Sequence, residues 1–155
     1  MFKNWMIVAT IVILAIALVA YYFFDFGKPL AVKRARVLVN DRTFNVEVAD
    51  SAPQQMRGLS GRESLPEDSG MLFVFNYAGM QSFWMKDMRF PIDIIWIKSE
   101  RIIGVEKNVP PQPDKSVFGL KIYTSPEPAD RVLEINAGLA DKYGFKPGDT
   151  IRFEP

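Results

Sequence analysis

Residues 6–24 form an uninterrupted apolar run, and this run limits what the chain can fold into more than any other feature. Its 19 residues carry no charge, and Thr10 is their only strongly polar side chain. As an α-helix rising about 1.5 Å per residue, the run would span roughly 28 Å, close to the hydrocarbon thickness of a bilayer. Trp5 stands before the run, and Tyr21 and Tyr22 lie at its far end, as aromatic residues do at membrane interfaces. The sequence therefore predicts an N-terminal transmembrane helix.

Two other interpretations fit this run less well. A cleaved signal peptide begins with several basic residues, whereas only Lys3 precedes this run, and the A-x-A pattern at residues 15–17 is followed by further apolar residues. A buried core helix of a small domain would be shorter and apolar on one side only. We favour an uncleaved anchor over residues 1–24, a linker over 25–32 and a globular domain over 33–155. Cleavage of the anchor is the open alternative.

The charges that flank the run give a conflicting signal about orientation. Basic residues that favour the cytoplasmic side follow the run, against Lys3 alone before it: Lys28, Lys33, Arg34, Arg36 and Arg42. Counted literally, they place the domain in the cytoplasm. Lys33 begins a predicted strand, however, and charges inside a folded domain are weaker topology signals.

The composition of the remaining chain excludes several classes of function. Without Lys3, the chain carries 18 basic and 18 acidic residues, so the domain is close to neutral. Broad nucleic-acid binding needs a basic face, and we predict no nucleic-acid partner. The chain contains no cysteine and no histidine, which removes disulfides, thiol catalysis and the usual general base. We predict no cofactor and no metal site.

Short apolar stretches separated by turn signals follow the linker. Asn40 and Asp41 suit a tight turn between two alternating stretches and predict a hairpin. Ser51, Pro53 and Gln54 predict the start of a short helix. Further strands are predicted over residues 70–75, 82–85, 92–97, 102–106, 132–135 and 150–153, with one helical turn or two within 138–143. The fold class is all-β: a sandwich or barrel-like domain of about seven or eight mostly antiparallel strands with one or two short helices.

Charged residues lie inside the densest apolar stretch of this domain, QSFWMKDMRFPIDIIWI at residues 81–97. Asp93 is surrounded in the sequence by isoleucines and a tryptophan. The burial of a carboxylate without a partner costs roughly several kcal/mol. We therefore expect a basic partner for Asp93 among Arg57, Arg62 and Lys86. The plain interpretation is a structural ion pair. The alternative is a polar pocket in which a ligand and the carboxylate compete for the cation.

Strand alternation around Trp84 predicts a second part of the same site. It directs Phe83 and Met85 inward and leaves Trp84 exposed beside Lys86. An exposed indole next to a cation is a stacking platform for a sugar ring, a base or a peptide side chain. The alternative is that Trp84 packs under the proline-rich segment 110–128.

Other carboxylates permit weaker hypotheses. Glu134 poses the same question as Asp93, and we expect a basic partner for it too. Pairing Asp93 with Glu134 or with Asp87 would imitate a glycosidase, but nothing in their spacing favours this. The adjacent Glu67 and Asp68 are equally unspecific as a cation site.

Three stretches resemble blocks of a known family: RGLSGRESLPEDSGMLFVF, FWMKDMRFPIDIIWI and VLEINAGLADKYGFKPGDTIRF. In order and combination they resemble the Domain of Unknown Function 192 (DUF192) family over about residues 33–155. The resemblance implies a small β-rich domain, commonly preceded by a signal or membrane segment, with no assigned reaction. It therefore favours an extracytoplasmic domain. Asp87 and Met88 stand where the family usually has Asn-Thr, so a ligand that touches these positions would be bound differently.

These observations together predict a membrane-anchored, extracytoplasmic binding or interaction module. The anchor would be a single pass of the cell membrane through residues 6–24, and the ligand would be small and polar or glycan-like. The predicted ligand-binding residues are Arg57, Arg62, Trp84, Lys86 and Asp93.

Two alternatives come from other classes of protein. A hydrolase of a glycan-like substrate, using carboxylates and arginine, would need Asp93 and Glu134 within about 10 Å of one another in an open cleft. A structural partner of an envelope protein would use the segment 110–128, with Val117 and Phe118 as contacts.

Overall fold

The computed structural model describes Val12 and residues 32–154. The contacts divide the chain into two units, Met1–Ala31 and Val32–Pro155. The predicted anchor and linker lie outside the described residues apart from Val12, which is helical, and Val32. Within the described part, no helix has the length and apolar character needed to cross a membrane.

The described residues are mostly β-structure with a few short helices. Two α-helices, α1 (Ala52–Arg57) and α2 (Leu139–Lys142), and one 3₁₀ turn (Val117–Gly119) interrupt the strands. The nine strands are β1 (Lys33–Val39), β2 (Arg42–Ala49), β3 (Ser69–Gly79), β4 (Ser82–Trp84), β5 (Ile92–Lys98), β6 (Arg101–Val109), β7 (Ile122–Thr124), β8 (Ala129–Asn136) and β9 (Ile151–Glu154).

Seven of the strands form one sheet in the order β6-β5-β8-β3-β2-β1-β9, and β4 and β7 form a separate two-stranded ribbon. Every neighbouring pair in the sheet is antiparallel except β2 and β3, which are parallel. The prediction of a mostly antiparallel β fold is therefore confirmed. The parallel pair arises because the chain crosses over through α1 and the loop that follows it, instead of turning back directly.

The sheet curls, and hydrogen bonds join its two edge strands at one end. Arg101 at the start of β6 bridges to Thr150, just before β9. The N–H of Ile102 donates a hydrogen bond to the carbonyl of Asp149 (3.0 Å), and the N–H of Ile151 donates one to Glu100 (2.8 Å). The architecture is a half-barrel, within the barrel-like class that the sequence predicts.

The inner face of the curl holds one of two hydrophobic clusters. All seven strands of the sheet contribute to it, and α2 closes it with Leu139 and Ala140. Phe44 and Phe145 meet edge-on in this cluster, with ring centroids 6.2 Å apart. Burial of these side chains is the main force that holds the curl together.

The outer face of the sheet is covered over only part of its width. Side chains of β3, β5 and β8, including Phe73 and Trp96, form the second cluster with Leu59, Met85 and Tyr123 from the loops and the ribbon. The outer face of β1 and β2 carries polar and charged side chains instead. A surface depression lies at the boundary between the covered and uncovered parts of the sheet.

Two local predictions are confirmed in detail. Asn40 and Asp41 form the two-residue turn between β1 and β2, where Asn40 adopts a φ of 54°. Ser51 and Gln54 form the capping box of α1, and the N–H of Ser51 donates to Gln54 Oε1 at 3.1 Å. Both features depend on residues close in sequence, which explains why the sequence alone predicts them.

Candidate functional site

The five predicted ligand-binding residues lie in different places on the domain. Arg62 borders the depression beside β1 and β2, Lys86 lies beside the proline-rich segment, and Trp84 borders a groove next to α1. Arg57 is exposed at the end of α1, and Asp93 is fully buried. They do not form one pocket.

Asp93 is buried as expected, but its predicted basic partner is wrong. Its Oδ1 accepts a hydrogen bond from the N–H of Asn108 (2.7 Å), and its Oδ2 accepts one from the N–H of Ala140 (2.8 Å). Among the described residues it forms no ion pair. Hydrogen bonds from backbone amides stabilise the carboxylate here, because the amides reach it inside the curl, where a long basic side chain would have to be buried as well. Asp93 therefore ties α2 to the bulge between β5 and β6.

Glu134 is also buried, and the expectation of a basic partner is wrong for it too. It lies on the outer face of the sheet, opposite Met71 of β3 and Ile94 of β5, beneath the loops that cover the second cluster. Its Oε2 has no hydrogen-bond partner among the described residues. Burial raises the pKa of Glu134 to about 8, so the side chain is largely protonated at neutral pH. The fold avoids a buried charge by keeping the proton.

Asp93 and Glu134 do not form the open carboxylate pair that the hydrolase alternative requires. Asp93 pairs with Ile135 and Glu134 with Ile94 across the β5–β8 register, so their side chains lie on opposite faces of the sheet. Both are buried. No substrate can contact both groups together.

The depression beside β1 and β2 is the most developed site that contains a predicted residue. Its volume is about 540 Å³. Three arginines line it, Arg34 and Arg36 from β1 and Arg62 from the loop after α1, together with one carboxylate, Glu47 of β2. The cross-strand register places Arg34 opposite Glu47 and Arg36 opposite Asn45. Its other lining residues are Ala35, Val46, Leu65, Pro66, Ser69 and Gly70.

Arg62 and Glu47 form a two-pronged ion pair across this depression. The two guanidinium nitrogens donate to the two carboxylate oxygens at 2.9 and 2.5 Å. The hydrogen bond from Arg62 lowers the pKa of Glu47, and the charge of Arg34 acts in the same direction. Glu47 in turn raises the pKa of Arg62. Glu47 thus takes the role that the sequence analysis gave to Asp93, that of a carboxylate holding an arginine in a polar pocket.

The depression contains more positive charge than its own carboxylate can balance. Arg36 pairs with Glu154 at 3.0 Å in an exposed position. Arg34 forms no ion pair with any described residue. A planar guanidinium fork matches the oxygens of a carboxylate or phosphate group. The arrangement can therefore hold a small anion between Arg34 and Arg62.

Arg34, Arg36 and Glu47 were not among the site residues predicted from the sequence. Alternation in the first hairpin indicates that these residues share the face opposite Phe44 and Val46, and this was the available signal. The local sequence does not show that this face of the sheet remains exposed, because the loops that cover the neighbouring strands are distant in the sequence.

Trp84 is exposed, as strand alternation predicts, while Met85 is buried. The indole is 46% accessible and borders a groove of about 300 Å³ lined by Met56, Phe75 and Phe83. It does not pack under the proline-rich segment as the alternative had it. Trp84 pairs with Ile122 across the ribbon, and Ile122 is exposed as well.

Lys86 lies in a third depression, separate from the arginines. This depression of about 370 Å³ is lined by Lys86, Arg89 and Lys115, by Asp87, and by apolar residues of the proline-rich segment. Lys86 Nζ lies 3.3 Å from the Asp87 carboxylate. The Lys86 carbonyl accepts a hydrogen bond from Ser60 Oγ (2.7 Å), which fixes this loop against the one that carries Arg62.

The described domain matches a known family. The model of the family DUF192, described as "Uncharacterized ACR", matches residues 35–153. This range contains the described strands from β1 to β9 almost completely. No curated protein matches the chain.

Two solved structures are similar to this domain. One is a protein of unknown function from Novosphingobium aromaticivorans, with 30% identity, a TM-score of 0.68, and coverage of 81% of this chain and 89% of its own. The other, from Sinorhizobium meliloti, was described as a candidate transcription regulator. It has 31% identity, a TM-score of 0.69, and coverage of 79% of this chain and 94% of its own.

Proposed function

Because the chain belongs to the DUF192 family, whose description assigns no activity, we propose a function from the geometry of its own domain. The domain is a binding module for a small anionic ligand, held at a membrane by residues 6–24 and located outside the cytoplasm. The apolar run and the family resemblance support the anchor and its location. The balanced charge of the domain supports a small-molecule ligand over nucleic acid.

The observation that carries the ligand proposal is the depression with three arginines and one carboxylate. Its volume of about 540 Å³ lies within the range of small-molecule sites. A ligand carboxylate or phosphate would bind Arg34 and share Arg62 with Glu47. A glycan-like acid, such as a uronate, combines this charge with the polar ligand expected from the sequence.

Calorimetric titration of residues 32–155 with citrate, pyrophosphate and glucuronate at constant ionic strength tests this function. At least one probe should bind, and Arg34→Gln or Arg62→Gln should weaken it about tenfold, because each removes charge-assisted hydrogen bonds. Glu47→Gln should strengthen binding, because it releases Arg62 from its internal partner.

Arg57→Gln is the matched control, because Arg57 is an exposed arginine outside the depression. Its affinity should equal that of the parent. Failure of all three probes to bind, or equal affinities in every variant, would contradict the anion site. A loss confined to Arg57→Gln would instead place the anion at the end of α1.

The groove beside Trp84 supports a second candidate, a neutral sugar or peptide side chain stacked on the indole. Such a ligand would bind equally well to the parent and to Arg62→Gln. The same titrations with a neutral disaccharide therefore separate the two candidates.

A further inference from the structure

Four exposed apolar side chains are not used by the proposed anion site. Trp84 and Ile122 pair across the ribbon, and Val117 and Phe118 lie in the 3₁₀ turn that precedes β7. Phe118 is fully exposed, which is unusual for a large aromatic side chain. We name these four residues the loop surface.

Basic residues border the loop surface. Lys115 precedes Val117 and Phe118, Lys121 follows them, and both lysines are exposed. Together, residues 84–89 and 112–122 carry four basic and two acidic side chains. Lys86, Arg89 and Lys115 line the depression of about 370 Å³ that Val117 also lines. Glu63 pairs with Arg89 and Asp87 with Lys86. With Asp114, these carboxylates leave an excess of one positive charge.

We propose that the loop surface inserts into the headgroup region of an anionic bilayer. Aromatic side chains such as Phe118 and Trp84 are typical of residues that insert into the headgroup region. The flanking lysines can extend their ammonium groups to the lipid phosphates. The depression lined by Lys86, Arg89 and Lys115 is suited to a lipid phosphate beside the inserted side chains.

The length of the linker is compatible with a bilayer as the binding partner of the loop surface. This step alone rests on the proposed function, because it takes residues 6–24 as a membrane anchor. The eight residues 25–32 reach at most about 28 Å when fully extended. A bilayer that holds the anchor is therefore within reach of the domain. A second, weak contact with the same bilayer gains from this tether through a high effective concentration.

Flotation of residues 32–155 with lipid vesicles tests the proposal without the anchor. Vesicles of phosphatidylcholine with about 30% phosphatidylglycerol should bind the domain more tightly than phosphatidylcholine alone, and about 0.5 M salt should reduce the difference. Phe118→Ser should lower binding to the anionic vesicles about tenfold, because it removes a large apolar side chain from the interface. The combined variant Lys115→Gln, Lys121→Gln should lose the preference for anionic lipid.

Tyr77→Ser is the matched control, because Tyr77 is an exposed aromatic residue on β3 outside the loop surface. It should bind vesicles like the parent. A fluorescent reporter, Phe118→Trp in a Trp84→Phe background, should shift its emission to shorter wavelength on binding, which shows that position 118 enters an apolar environment.

Two results would overturn the proposal. One is binding that is absent, or unchanged in Phe118→Ser, since the lysines alone would then account for it. The other is a photo-cross-linker at position 118 that reacts with a single protein in native membranes while vesicle binding is absent. That outcome would assign the loop surface to a protein partner. Neither result touches the anion site, whose test depends on Arg34, Arg62 and Glu47.

Discussion

Glu134 shows how one side chain can make the stability of a whole domain depend on pH. In the unfolded chain its pKa is near the ordinary value of 4.5, and in the folded domain burial raises it to about 8. Between these values the folded state holds a proton that the unfolded state releases. Its contribution to stability is therefore complete below about pH 4.5 and is lost as the pH rises toward about 8.

The first prediction concerns Glu134→Gln, which keeps the shape of the side chain and removes its titration. Chemical denaturation at pH 5 and pH 8 should show the parent losing stability relative to the variant by up to about 1.4 kcal/mol per pH unit. Asp68→Asn, at an exposed carboxylate, is a suitable control and should follow the parent. Parallel pH profiles for the parent and Glu134→Gln would contradict a buried proton.

The partners of Asp93 and Glu134 show why part of the candidate site could not be read from the sequence. The apolar neighbours of each carboxylate correctly predict that its burial is costly. They do not predict how the fold offsets this cost, because neither a backbone amide nor a retained proton can be recognised in the pattern of side chains. Arg62 was a predicted partner of Asp93, but it pairs with Glu47 of β2 instead.

At the scale of elements, Asp93 is the connection between α2 and the sheet. Helix α2 has only four residues and begins after Gly138, so it has little stability of its own. The hydrogen bond from Ala140 holds its first turn, and that from Asn108 holds the bulge of β6, where Asn108 has a φ of 53°. The Asp93 carboxylate therefore stabilises two irregular backbone segments, the first turn of α2 and the bulge of β6.

The prediction at this scale is that Asp93→Ala destabilises the domain by about 3–5 kcal/mol, because one buried and one partly buried amide lose a charged acceptor. Asp93→Asn keeps one carbonyl oxygen and should lose less. Denaturant unfolding measures both, and faster hydrogen exchange at Ala140 and Asn108 would localise the effect. A loss below about 1 kcal/mol for Asp93→Ala would mean that other contacts hold α2.

Elements specified by neighbouring residues were predicted well, and those specified by distant contacts were not. The first hairpin and the capping box of α1 follow from Asn40, Asp41, Ser51 and Gln54 alone. The ribbon of β4 and β7 joins two three-residue strands separated by a long segment, and no local signal indicates that they pair. Segments that are distant in the sequence also determine which part of the sheet surface remains accessible to a ligand.

For the whole molecule, the compartment of the domain is the proposal with the widest consequences. The chain has no cysteine, so a single introduced thiol reports its location without background. Residue 64 is exposed on the domain. Since we propose that the domain lies outside the cytoplasm, we predict that an impermeant maleimide labels Ser64→Cys in intact cells. Lys3→Cys, before the apolar run, should be labelled only after lysis. The reverse pattern would place the domain in the cytoplasm, as the flanking charges alone suggest.

The curl of the sheet also brings the two ends of the domain together. Arg36 of β1 lies opposite Glu154 of β9, so Lys33 is only about 10 Å further along its strand. A short peptide from residue 154 to residue 33 would bridge this gap, and the exposed turn at Asn40 and Asp41 offers a place to open the chain. We therefore expect the domain to tolerate circular permutation. The same sheet should form when its strands are synthesised in a different order.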